Sequence, residues 1–266
     1  MSSSARPLFN ALQDLKICSD KVITNWSKLG NNRSNNLEKL ASEFPDISSV
    51  SPIRESLKTL ASFGIKDEFC LKLLTNQSGK SALWLNSHEI SDSFHSLGVL
   101  GFEVPDQIHL VSSCPQLLSS SKNKISESYS WLKQTFTEKR AKQSIKVKPY
   151  LLLTEKEQLI ERANYLFARM RVVTKEVAAA GALIHPVEKI RCRHLFLLRC
   201  GNYEFPNAKA KVKRLEKNPN IRDILDTSDR EFATRIAGLS EEEFYIFKKL
   251  LNEEDKEAKN DDDELD

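Results

Sequence analysis

Few residues in this 266-residue chain combine a type and a spacing suited to catalysis. Gly79-Lys80-Ser81 has the ending of a phosphate-binding loop, but the glycine that must open such a loop would fall at Leu74. Cys192, His194 and Cys200 come nearest to a metal-ligand cluster, and their spacing is not that of a zinc site. No glycine-rich cofactor loop, nucleophile elbow or proline-cysteine methyl-transfer motif occurs. The expectation is a protein without catalytic residues, cofactor or metal. What remains is charge.

The net charge of +3 conceals a division along the chain. Residues 121–217 carry 22 Lys and Arg against 9 Asp and Glu, whereas residues 253–266 carry 9 acids against 2 Lys. The basic residues recur in groups: Lys122 and Lys124; Lys139, Arg140, Lys142, Lys146 and Lys148; Arg169, Arg171 and Lys175; Lys189, Arg191 and Arg193. A single lysine needs no explanation beyond a solvated helix face. An excess of this size over fewer than one hundred residues points to a polyanion, and these thirteen residues are the expected nucleic-acid contacts. Contacts of this kind grip phosphate and carry little sequence information, and no RNP-type aromatic motif or zinc finger accompanies them.

The elements that position these cations follow from a repeat. Gly101 stands fourteen residues before Pro115, as Gly64 does before Ser78; Pro149 follows Pro115 by 34 residues, Pro186 follows Pro149 by 37, and Pro45 lies one similar period before Ser78. Each period reads as helix, turn, helix, with Pro115, Pro149 and Pro186 each ending a helix and opening a turn, since proline lacks an N–H and disfavours helical geometry in the residue before it. Apolar stripes at helical spacing follow: Ile125, Tyr129, Leu132 and Phe136, then Leu159, Ala163, Leu166 and Met170. Thr154 with Glu157, Ser228 with Glu231, and Ser240 with Glu243 have the capping-box spacing of helix starts. With only 8 glycines and 9 prolines, a sheet-rich fold is disfavoured. The predicted fold is all-α, a helical-repeat solenoid curved with a basic concave face.

The organisation reads as an N-terminal segment, 1–40, that is either a transit peptide or a linker; repeats over 41–200; C-terminal helices over 201–252; and a disordered acidic tail, 253–266. The C-terminal helices are rich in large apolar residues: Phe232, Ile236 and Leu239, then Phe244, Phe247, Leu250 and Leu251. Aromatic anchors dominate interfaces, so these seven are the expected partner contacts, alongside a role in closing the core. Five scattered cysteines fit a reducing compartment, and no stretch has the length of apolar residues that spans a bilayer.

The segment LGFEVPDQIHLVSSCPQLL, with Leu100, Gly101, Phe102, Ile108, Pro115, Leu117 and Leu118, resembles the repeat signature of the mitochondrial transcription termination factor family, and Pro149, Leu151 and Leu152 match it again. GALIHPVEKIRCRHLFLLRCG and EFATRIAGLSEEEFYIFKKLLNEED resemble the branch of that family whose member partners a mitochondrial rRNA cytosine methyltransferase. The resemblance implies a mitochondrial matrix protein without enzyme activity that binds ribosomal RNA or the large ribosomal subunit and forms a heterodimer with the rRNA methyltransferase. The alternative it leaves open is a transcription terminator on mitochondrial DNA.

Overall fold

Apolar residues at steps of three and four, with few breaks between them, leave the chain little choice but helix. In the computed structural model, residues 47–66, 69, 85–205 and 218–263 are described, and every regular element among them is helical. The helices are α1 (Ile47–Ser62), α2 (Ser87–Val99), α3 (Val104–Ser113), α4 (Lys122–Thr135), α5 (Glu138–Val147), α6 (Lys156–Asn164), α7 (Thr174–Ala180), α8 (Val187–Arg199), α9 (Ile221–Asp226), α10 (Asp229–Glu231) and α11 (Glu241–Asp263). Helices α6 and α10 each run on into a π-helical turn, Tyr165–Arg169 and Phe232–Ile236. Pro45, Ser78, the Gly79–Ser81 motif and the segment 1–40 lie outside the described residues.

The chain divides into two units, 1–127 and 128–266. In the first, Asn86 and Glu89 close a reciprocal capping box at the start of α2, and Phe63 and Phe94 stack with ring centroids 4.2 Å apart. Both predicted stripes are buried, Ile125 in the first unit and the rest in the second, down to Leu132, Leu159, Leu166 and Met170 with no exposed surface. Each such leucine, fully buried, contributes about 2 kcal/mol.

Pro115 and Pro149 do open turns, in both cases a 3-10 turn (Pro115–Leu118 and Pro149–Leu153) preceded by a residue held out of helical geometry. Pro186 does not. The third turn, Ala182–Ile184, is opened by Gly181 at φ 61°, and Pro186 instead precedes the first residue of α8. A Cβ on Gly181 would lie 2.5 Å from Lys148 Cγ, so the close approach of α7 to the end of α5 demands glycine where earlier joints use proline.

A polar side chain on the buried face of each repeat's first helix ties down a carbonyl just before the next repeat. In the first unit, Ser56 Oγ donates to Leu85 O (2.6 Å) and Ser93 Oγ to Leu118 O (3.0 Å). In the second, Ser128 Oγ donates to Thr154 O (2.8 Å), Arg162 Nη1 to Leu183 O (2.9 Å), and Arg193 Nη1 to Ile224 O (2.6 Å). Leu118 ends a 3-10 turn, Thr154 follows one, Leu183 lies within one and Ile224 is in the last turn of α9, places where the helix ladder leaves carbonyls short of partners, so each tie helps to satisfy a group that would be costly to bury alone.

Two local expectations fail. Thr154 does not cap α6, because its hydroxyl donates back to Tyr150 O (3.1 Å) and Glu155 takes the cap position without a side-chain bond. The tail is helical rather than disordered as far as Asp263. Its residues are largely good helix formers, and Glu254 and Asp255 are held by arginines of α8. The other two capping pairs form. Ser228 accepts from the Glu231 N–H (3.1 Å), and Ser240 and Glu243 bond reciprocally (2.7 and 3.1 Å).

Candidate nucleic-acid interface

Helix α5 buries Ala141, Ser144 and Ile145 and turns Lys139, Lys142 and Lys146 to the opposite face at i, i+3 and i+7. Helix α5 packs on α7, and Lys139 and Lys175 each stand second in their helix, at equivalent positions of successive repeats. All but Lys142, which is half-buried against Glu138 (3.0 Å), are well exposed. Repetition has therefore brought four of the predicted cations onto neighbouring helices of the second unit. Arg140 is half-exposed, behind the Thr137 cap, whose hydroxyl accepts the Arg140 N–H.

A second cationic region borders a groove of about 460 Å³ between α6 and α8, lined by Tyr165, Arg169, Glu188 and Arg191 among others. Arg169 ends the π turn of α6, and Arg171 follows it at φ 54°. Glycine fills the corresponding turn after α1, α2, α8 and α10, at Gly64, Gly101, Gly201 and Gly238 (φ 70° to 86°). Among the described residues only Arg171 places a side chain in the left-handed region, which costs roughly 1–2 kcal/mol without glycine. The Arg171 guanidinium lies 6.0 Å from the Phe205 ring, which is 51% exposed. Strain of this kind persists where the side chain serves a purpose.

Lys122 and Lys124 belong to the first unit, where Lys122 pairs with Asp92 (3.1 Å). Lys148 is engaged internally. With His185 it shares one oxygen of Asp226 (3.1 and 2.8 Å); burial opposes ionisation of that carboxyl, yet the two donors hold it below the ordinary range. Burial pushes both His185 and Lys189 below their usual values.

Arg193 is not a nucleic-acid contact. It is 2% exposed, donates to Ile224 O, Thr227 O and Asp229, and lies 4.6 Å over the Phe232 ring. Beside it, His194 is buried among Tyr165, Tyr203 and Phe205. Its Nδ1 meets the Tyr165 hydroxyl at 3.0 Å and its Nε2 has no hydrogen-bond partner among the described residues; burial lowers its pKa to about 4.

The predicted partner residues separate into two faces. Phe232, Phe244, Phe247 and Leu251 are core, and the three phenylalanines pack around Phe196 with ring centroids 4.8 to 6.0 Å away. Ile236 and Leu239 are half-buried. The apolar surface that α11 leaves to solvent is Tyr245, Ile246 and Leu250, each about half exposed, of which only Leu250 was among the expected contacts. The helical period from Phe244 and Phe247 could have shown this for Tyr245 and Ile246, which point away from both, with Leu250 one turn after Ile246 at the edge of the buried face. Arg199 also escaped the sequence reading; it lies over Phe247 and pairs with Glu254.

Among known proteins, the family model described as mTERF matches residues 16–179. The mouse protein named mitochondrial transcription termination factor 4 is 29% identical over 174 residues, which is 65% of this chain and 50% of that one. The chain thus aligns with half the length of that relative.

Proposed function

The chain belongs to the mTERF family, and from that premise we propose that it is a non-catalytic nucleic-acid-binding protein of the mitochondrial matrix that holds ribosomal RNA and positions an rRNA cytosine methyltransferase. The observation that carries the nucleic-acid part is the placement of Lys139, Lys142, Lys146 and Lys175 on two packed helices, with Lys139 and Lys175 at equivalent repeat positions. A row of cations with that origin follows a phosphate backbone and reads little sequence. Arg169 at the α6–α8 groove adds a further cation, and Arg171 stands by the exposed Phe205, whose ring is offered to an unpaired base. Tyr245, Ile246 and Leu250 supply the apolar patch for the methyltransferase.

A second reading has the same surface on duplex mitochondrial DNA, favoured by the mouse relative's being named a transcription termination factor. Crosslinking in cells followed by sequencing of the attached nucleic acid separates the two. Ribosomal RNA is expected. Recovery of mitochondrial DNA selects the second reading, and recovery of no nucleic acid refutes both.

A further inference from the structure

Helix α11 begins as a core element and ends as an acidic one. Phe244, Phe247 and Leu251 form its buried face, and the same face continues one turn later in Glu254 and Asp255. That register sets the two carboxylates against α8. Arg191 makes a two-pronged bond to Asp255, 2.7 Å on one side, and Arg199 a two-pronged bond to Glu254 at 2.7 and 3.1 Å. Arg191 also lines the groove that Arg169 borders.

We propose that the acidic end of α11 is an intramolecular stand-in for nucleic-acid phosphate, occupying Arg191 and Arg199 so that RNA must displace it to engage α8. Arginine's fork matches carboxylate and phosphate oxygens alike, so either partner fits the same two guanidinium groups. The pairs are half-exposed and their strength is modest, so they weaken competing contacts without closing the surface permanently. Weak non-specific binders are excluded, while RNA held elsewhere at the same time wins the exchange. This inference rests on the nucleic-acid reading above.

The test compares the full chain with E254Q/D255N and with E253Q/E257Q, which removes the same charge from exposed positions of the same helix. Binding to a labelled RNA duplex is measured over a range of salt. E254Q/D255N is expected to tighten binding about three- to tenfold at low salt, the range two exposed ion pairs allow. Its log–log salt slope steepens by about 2, one for each arginine released. E253Q/E257Q should change affinity less than twofold, and adding R191A/R199A to E254Q/D255N should abolish the gain. Equal gains from the two pairs of substitutions, or a gain that survives R191A/R199A, overturns the proposal while leaving RNA binding by the parent chain intact. If neither the parent nor E254Q/D255N binds, the nucleic-acid reading itself falls.

Discussion

At Arg171 a backbone penalty and a cationic side chain coincide, and the two can be separated by one substitution. Arg171→Gly relieves left-handed strain, so urea unfolding should show a gain of about 1 kcal/mol. RNA affinity should fall in the same variant; a protein that became more stable with unchanged affinity would remove Arg171 from the interface. His194 makes a different claim. Its folded pKa of about 4 lies below the value near 6.5 of the unfolded chain, so the unfolded state gains the proton first as pH falls. Its contribution is intact above pH 7, declines as pH drops through 6.5, and is fully lost below 4, with about 2 kcal/mol gone by pH 5. The stability of His194→Gln should therefore vary less between pH 7 and 5 than that of the parent.

At the scale of elements, the carbonyl ties decide how one repeat joins the next. Arg193→Ala strands Ile224 O and Thr227 O and leaves Asp229 with Lys248 alone. A loss of about 3 kcal/mol is expected in chemical denaturation, with little effect on affinity per folded molecule. A loss under about 1 kcal/mol would mean that the ties are incidental. On α11 the two faces should behave oppositely. Phe244→Ala opens the aromatic core and costs about 3 kcal/mol. Y245S/I246S/L250S should leave stability within about 0.5 kcal/mol and abolish copurification of the methyltransferase. Undiminished copurification would move the partner surface elsewhere.

Over the whole molecule, the helical class and the buried stripes were readable because apolar spacing alone fixes both. Proline located two joints, and the third was misplaced because a left-handed glycine makes the same turn and leaves Pro186 to begin the next helix. The interior role of Arg193 was hidden because, in a basic segment, a buried arginine looks like an exposed one. A signal did exist: Ser93, Ser128, Arg162 and Arg193 each follow a buried stripe residue (Ile90, Ile125, Leu159, Ile190) by three positions, on the apolar face. Ion pairs across the fold, such as Arg191 with Asp255, lie 64 residues apart and have no local signature.

The lysines on the packed helices α5 and α7 are assigned to phosphate, and the salt dependence of duplex RNA binding reads that assignment directly. If about six phosphates are neutralised, the log–log slope is roughly −5. Replacing Lys139, Lys142, Lys146 and Lys175 together by alanine should flatten that slope by about 3 to 4. A parent slope near zero, or a slope that the four substitutions leave unchanged, would contradict it.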